Sequence, residues 1–565
     1  MKRKYLSLLF LCLPLLSWAQ KNHNLDVAKN LDIFNQVYKN LDLLYVDTLN
    51  PNEVIGTGIK SMLRSLDPYT EYYPESETKN LKMMLTGKYA GIGALIRYHQ
   101  KLKRVVVDEP YEGMPASEVG LKKGDIILSI DDSTMTDKNV SYVSSHLRGD
   151  AGTSFVLKVL RPSTGKKMNF KITRRSIKLP ELPYYGIIDS LPLSSFTLHK
   201  KIGYINLNQF TEGCAKNVRR AYVDLKKQGA TALVFDLRSN GGGSEMEAVD
   251  IVNLWVNKGQ TIVENRGKIR QAYHSYKTRL EPVDTIMPLV VLVNGETASA
   301  SEITSGSLQD LDRAIIIGTR TYGKGLVQVP LDLPYNSNLK LTTSKYYIPS
   351  GRCIQAINYK RDGTGGYRER VADSLTHVFY TAAGREVRDG GGITPDIEVK
   401  NDTIPNIAFY LSASGQDSTE VMFDWVVNYI SKHPTIASAR EFRLSDEDFA
   451  DFKKHVVESG FTYDPVSEKQ LKELVKTAKA EGYYEQAKEA FDLLESKLKH
   501  DVATDIDKHE TILRQMLELD IIAAYHYQAG SIEAGLKYDK QLKEAIRLLQ
   551  SPEEYKKILT PKKTE

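Results

Sequence analysis

Ala232-Leu233-Val234-Phe235-Asp236-Leu237-Arg238-Ser239-Asn240-Gly241-Gly242-Gly243 joins an apolar run to a glycine-rich turn. An apolar run without alternation reads as a strand buried on both faces. A helical pattern follows from about Ser244 to Asn257. Outward from this stretch, the alternation repeats. Ile202 to Leu207 is strand-like, Val218 to Lys227 helical, and Pro288 to Val293 a second buried strand. Asn294-Gly295 then turns into a helix from about Ala298, and Ala314 to Gly318 is another apolar strand. Strand and helix in alternation over 200–400 predict an α/β layer. Loops after the strands' carboxyl ends are where such layers place their sites.

The flanks differ in pattern. Over 25–84 the sequence reads as helices, with Leu31, Phe34, Val37, Tyr38 and Leu41 at helical spacing until Leu66-Asp67-Pro68-Tyr69 breaks the pattern. Residues 87–175 carry short β-rich runs at Val105 to Val107, Ile126 to Ile130, Phe155 to Leu160 and Asn169 to Ile172. Residues 401–565 turn helical and charged. Glu481 to Ala487 reads as the turn of a helical hairpin, and Tyr525 to Gly530 as a helix end. Such a tail reads by default as packing or partner contact. The expected divisions are 1–19, 20–86, 87–175, 176–400 and 401–565.

Bulk properties exclude several classes. The chain of 565 residues is 41% apolar and 26% charged, values of a soluble globular protein with several cores. Lys2, Arg3 and Lys4 supply three of the +5 formal charges, so the remainder is near balance. No basic run reads as a nucleic-acid patch, and the lysines from Lys556 to Lys563 read as a solvated tail. Lys2-Arg3-Lys4, the apolar run Leu6 to Leu16, and Ser17-Trp18-Ala19 form a secretory signal pattern with Gln20 as the new N-terminus. The bulky Leu9-Phe10-Leu11 before Cys12 argues against lipoprotein cleavage. The mature chain is then expected in a bacterial periplasm, soluble or peripheral to the membrane. Cys214 and Cys353 are expected as free thiols, and no Cys/His spacing predicts a metal or a metal-borne cofactor.

Two short motifs carry chemistry. Asn294-Gly295-Glu296-Thr297-Ala298-Ser299-Ala300-Ser301-Glu302 sets a serine at a helix start among small neighbours, where free N–H groups and the dipole favour a developing anion. By itself such a stretch reads as a helix cap. A serine needs a base, and no histidine stands in a triad motif. Thr321-Tyr322-Gly323-Lys324-Gly325 offers a lysine between glycines, although by itself it reads as a surface turn. A lysine acts as a base only when neutral, so its surroundings must favour the uncharged form.

Gly113-Met114-Pro115-Ala116 with Gly120-Leu121-Lys122-Lys123-Gly124-Asp125-Ile126-Ile127 resembles a PDZ domain of the bacterial protease type. The resemblance makes Tyr89, Ala90, Gly91, Ile92 and Gly93, leading into Ala94, the loop and strand that hold a peptide carboxylate and pair with its backbone. Over about 30–400 the chain resembles the C-terminal processing peptidases, or tail-specific proteases, of family S41. Asp236-x-Arg238-x-Asn240-x-Gly242-Gly243, Thr297-Ala298-Ser299-Ala300-Ser301-Glu302 and Gly323-Lys324-Gly325 with Gln328 carry that likeness, and Gly390-Gly391-Gly392-Ile393-Thr394-Pro395-Asp396 matches the closing core segment. Gly241 stands where many members have proline. The segment around 360–390 and the helical tail are closer to Bacteroidetes-type members.

The resemblance implies a multidomain α/β protein, with a crotonase/Clp-like protease core, an inserted PDZ β-domain, a helical N-terminal part and a helical C-terminal extension. It implies Ser299 as nucleophile, Lys324 as base, Gln328 as the residue orienting the lysine, and Glu302 in support. By the same resemblance the N–H groups of Gly242, less securely Gly243, and of Ala300 are expected to form the oxyanion hole. No cofactor is expected. The implied partners are proteins or peptides held by their C-termini, with room for an adaptor and a homo-oligomer. A silent PDZ scaffold is the first alternative, opposed by the intact Ser299, Lys324 and Gln328 set. An acyl-CoA enzyme on the same core is the second, opposed by the signal pattern and the PDZ segment.

Overall fold

The computed structural model describes residues 4–78, 88–188, 200–359, 369–412, 420–463, 466–498 and 501–560. The expected 86/87 division, Lys2, Arg3, Lys562, Lys563 and part of the 360–390 segment lie outside them.

The chain forms two compact units. Among the described residues, the first holds 4–78, 328–342 and 359. Its helices Lys4–Leu44 and Pro51–Arg64 match the helical reading, and Pro51 enters the second helix at its first turn, where a missing N–H costs nothing. Residues 4–19 of the segment read as the signal run within the first of these helices. After the break at Pro68 the chain forms a strand, Glu71–Tyr73, antiparallel to Asn338–Lys340, where a helical continuation was expected. The Asp67 carboxylate accepts from Tyr69 N–H, Thr70 N–H and the Thr70 hydroxyl, and so fixes the turn. Among the described residues no helix is long and apolar enough to cross a membrane.

The second unit carries the α/β layer. Its sheet has six strands: β1 (Tyr184–Ile187), β2 (Ile202–Asn206), β3 (Ala232–Asp236), β4 (Leu289–Val293), β5 (Ile315–Gly318) and β6 (Ile397–Glu398), in that order. β1 is antiparallel to β2, and the other neighbours run parallel. Helices α1 (Cys214–Lys227), α2 (Glu245–Val252) and α3 (Ala300–Asp310) cover one face, packed on Ile205, Phe235, Val291 and Ile316. Helices α4 (Lys540–Leu549) and α5 (Pro552–Leu559) cover the other, packed on Tyr204, Val234, Leu292 and Ile317. A sheet apolar on both faces needs two covering layers. The last two helices, from the stretch read as a helical extension, therefore complete the second covering layer. α2 ends at Val252 rather than near Asn257, where the Asn253 side chain turns to accept from Arg279 and Leu280 N–H.

Residues 94–173 form an antiparallel sheet of Ala94–His99, Arg104–Pro110, Ile126–Ile130, Ser154–Arg161 and Lys166–Thr173, with helix Val140–Leu147 beside it. Ala94–His99 is an edge strand. The expected β-runs all fall on these strands.

Helices between Asn406 and Gly535 build a third core around Trp425, Phe452 and Leu517. The hairpin turn near Glu481 falls between helices Val466–Glu481 and Tyr484–Leu498. The expected end near Tyr525 is instead a break at Tyr527 within helix Glu510–Gly535. This helical body also grips the β-domain. Phe423 and Val427 pack on Val106 and Ile126, and the Lys123 ammonium donates to Asp108 at 2.6 Å and to Asp520 at 2.8 Å. Buried His99 meets Asp424 at 2.9 Å.

Candidate active site

Three loops leave the carboxyl ends of the adjacent strands β3, β4 and β5. Asn294 joins the first two: its Oδ1 accepts from Glu296, Thr297 and Ser239 N–H, the last at 2.9 Å. The buried Thr297 hydroxyl donates to the Leu237 carbonyl at 2.9 Å. Ala298 N–H and the Ser301 hydroxyl both donate to the Asn240 carbonyl. Ser301 is fully buried in that bond.

Ser299 is half-buried and stands just before α3 with φ 58° and ψ −118°. A non-glycine residue at such angles stores about 1–3 kcal/mol of strain, and such strain clusters at functional sites. The strain also explains why α3 starts at Ala300 rather than Ala298. What holds it is Glu302. The Glu302 carboxylate is fully buried and accepts four hydrogen bonds. Oε2 takes Ser299 N–H at 2.8 Å and Lys324 N–H at 2.9 Å. Oε1 takes Gly323 N–H at 2.7 Å and the Thr321 hydroxyl at 2.5 Å. One carboxylate oxygen thus binds the backbones of both residues singled out in the sequence. Burial pushes this carboxyl up to about 7, against the four donors that pull it down.

Lys324 is half-buried, in a turn that only glycine permits. Gly323 has φ +86°, and a Cβ there would stand 2.2 Å from the Ala356 Cβ. Ala356 N–H donates to the Gly323 carbonyl at 2.9 Å, and Gly325 N–H to Gln355 Oε1 at 2.7 Å. Gln328 follows on strand Leu326–Leu333, where its amide donates to Thr342 Oγ1 at 3.1 Å.

The glycine loop requires a correction. Gly242 N–H donates to Asn240 Oδ1 at 2.9 Å, so it is already spent. Gly243 N–H makes no hydrogen bond among the described residues, and neither does Ala300 N–H at the first turn of α3. Gly241 and Gly243 are the two glycines of this loop whose N–H groups make no hydrogen bond among the described residues, and Gly243 is the one of them that the family likeness marks. Its φ is +143°, and a Cβ there would lie 2.3 Å from the Phe210 carbonyl oxygen. Gly243→Ala is expected to displace this loop, which amide hydrogen exchange over 237–244 measures. Spacing did not distinguish the two glycines, because the Asn240 side chain decides between them. Thr321 and Asn294 were also missed, although Ser299-x-x-Glu302 has the pattern of a capping box.

In the β-domain, Tyr89, Ala90 and Gly91 lie on strand Lys88–Gly91, paired with Arg175–Lys178. Ile92 is buried and its carbonyl accepts from Ala116 N–H, while the Gly93 carbonyl accepts from Tyr111 N–H. The Arg148 guanidinium lies 5.2 Å from the centre of the Tyr89 ring.

Comparisons with known proteins match three stretches of the chain. A model of peptidase family S41 matches residues 201–363, a PDZ-domain model matches 106–161, and a model described as the C-terminal helical domain of a probable PDZ-protease matches 410–549. A carboxy-terminal-processing protease of Bartonella bacilliformis is 33% identical over 360 residues, covering 62% of this chain and 80% of that relative. A carboxyl-terminal-processing protease of Picosynechococcus is 35% identical over 296 residues, covering 52% of this chain and 69% of the relative. The solved photosystem II D1 C-terminal processing protease aligns over 66% of this chain and 88% of its own, at 26% identity and a TM-score of 0.38.

Proposed function

The chain belongs to peptidase family S41, and from that premise we propose that it is a serine endopeptidase which holds protein C-termini on its PDZ domain and cuts with Ser299 and Lys324. The observation that carries this reading is the shared Glu302 oxygen, which couples the backbone of the nucleophile to that of the base. The names of the relatives supply the preference for C-terminal tails, and the pattern at Lys2 to Ala19 supplies a place of action beyond the cytoplasmic membrane.

In the proposed reaction, neutral Lys324 Nζ takes the Ser299 hydroxyl proton as Oγ attacks the substrate carbonyl carbon. Gly243 and Ala300 N–H groups donate to the oxyanion. The C–N bond breaks, the ammonium returns its proton to the leaving amine, and an ester remains on Ser299. Water, deprotonated by the same lysine, releases the acyl product. The family resemblance gives Gln328 the task of orienting Lys324.

The approach of a bound tail is supported by a cavity of about 500 Å³. It is lined by Leu95 on the edge strand, by Tyr111 and Met114, and by Asn208 and Thr211. Phe210 in that last segment donates its N–H to the Gly242 carbonyl. A tail paired along Ala94–His99 thus has a path toward the glycine loop. The test is cleavage of a protein ending in a free C-terminal tail against the same protein with an amidated end. Faster cleavage of the free end is expected, and equal rates would remove the PDZ role.

The Glu302 carboxyl also sets a pH dependence. Its pKa is raised to about 7, so the folded state binds this proton more tightly than the unfolded chain. Stability from this group is therefore fully present below the ordinary carboxylate range and declines until pH 7, by about 3 kcal/mol. Activity runs the other way. A protonated Glu302 brings an O–H among four donors and loses one of them. The kcat/KM profile should rise through about pH 7, and Glu302→Gln should lack that limb. An identical limb in the variant would assign it to another group.

A further inference from the structure

Arg238 belongs to the glycine-loop motif, yet two of its three side-chain partners come from the far end of the chain. Its N–H and Nε donate to Asp236 Oδ1, each at 2.9 Å, and Nη2 also donates to Asp236. The same guanidinium reaches Asp539 Oδ2 at 2.5 Å and Gln541 Oε1 at 3.0 Å. Asp539 caps α4 with its other oxygen, accepting Leu542 N–H at 2.9 Å. Gln541 is fully buried and donates to the Val399 carbonyl at 2.7 Å. α4 is pinned to the sheet by Leu542, Ala545, Ile546 and Leu549, so these two side chains are held on a rigid element.

Arg238 opens the five-residue approach to Gly243. The rest of that loop is tied to the nucleophile side, through Ser239 to Asn294 and through Asn240 to Ala298. On the opposite side its anchor is the Asp236–Arg238–Asp539 triad. Asp236 is buried and also accepts the Tyr204 hydroxyl at 2.6 Å. One guanidinium bound by two carboxylates and an amide has a single orientation open to it, because its donors form a planar fork.

We propose that Asp539, with Gln541, is a positioning residue for the peptidase reaction: the C-terminal helix α4 holds Arg238 and thereby the glycine loop whose Gly243 N–H receives the oxyanion. This rests on the serine-peptidase reading above. It gives the C-terminal helices a task in catalysis beyond covering the sheet. The contact touches no substrate atom, so its effect falls on the transition state rather than on tail binding.

The test uses the full-length protein with Asp539→Asn, which keeps a capping oxygen but drops the charge, with Asp539→Ala as the harsher variant and Asp539→Glu as the conservative one. For Asp539→Asn, kcat should fall about tenfold with KM unchanged. Affinity for a peptide boronic acid, which places an oxyanion in the hole, should fall by the same factor, while affinity for the C-terminal tail peptide stays. Asp539→Glu should recover part of the loss. Amide hydrogen exchange should rise in 237–244 but not in 300–310. Unchanged kcat with unchanged exchange in 237–244 overturns the proposal, and so does an equal loss of boronate and tail affinity. If Ser299→Ala cleaves like the parent, the serine-peptidase reading fails by itself, while the exchange data still decide the role of Asp539.

Discussion

Ser299→Ala is expected to stop peptide cleavage, with kcat lower by about 10⁵-fold or more, while the thermal midpoint stays within about 2 °C of the parent. The substitution removes Oγ and nothing else the fold uses. The bond from residue 299 to Glu302 is made by the backbone N–H, which alanine keeps. The φ of 58° costs alanine about as much as serine. Gly243 and Ala300 N–H groups remain to bind an oxyanion, so whatever catalysis is left measures the hole without its nucleophile. The variant should also retain tailed substrates, because binding along Ala94–His99 is untouched. Residual cleavage within tenfold of the parent would move the nucleophile elsewhere. Ser301 would not inherit the role, since its hydroxyl is committed to the Asn240 carbonyl in a fully buried position.

Glu302→Ala is expected to lose both activity and much of the stability. Two effects oppose each other. Removing the carboxylate relieves a net cost of about 3 kcal/mol above pH 7, what remains of its burial penalty once its four donors are counted. Against that, four donors lose their acceptor: three backbone N–H groups and the Thr321 hydroxyl. Each stranded buried donor costs about 1–3 kcal/mol, so the donors win by several kcal/mol, a large part of a typical domain's stability. Urea unfolding at pH 8 should show a lower midpoint, and cleavage should be undetectable even where the variant is still folded. Glu302→Gln keeps one acceptor oxygen but turns an N–H₂ toward the other donors. It should fall between the two in stability and stay well below the parent in rate. A Glu302→Ala protein as stable and active as the parent would remove this carboxylate from the account.

Much of this was legible in residue order. The run Ala232 to Leu237 reads as a strand because it is apolar on both faces, and the structure covers both of its faces. The small residues around Ser299 and the glycines around Lys324 mark two tight turns, each on the end of a strand. What residue order leaves out is which partner a group chooses. Gly242 and Gly243 are equivalent by spacing, and only the Asn240 side chain separates them. The helical pattern of 540–549 says that one face is buried, but not that it lies on β3, β4 and β5. The pairing of Arg238 with Asp539 joins loops distant in sequence, so no local pattern announces it. Strand Glu71–Tyr73 was missed because its three residues are too few to show a period and gain their pairing from Asn338–Lys340.

The central claim is a serine made nucleophilic by a lysine. It is tested most directly by intact-mass and peptide mapping after exposure to a fluorophosphonate, with the parent protein and Lys324→Ala side by side at pH 8. The account predicts a single adduct on the peptide bearing Ser299 in the parent, and labelling slowed by at least about a hundredfold in Lys324→Ala. An adduct on a different serine, or equal labelling of Ser299 in both proteins, would contradict it.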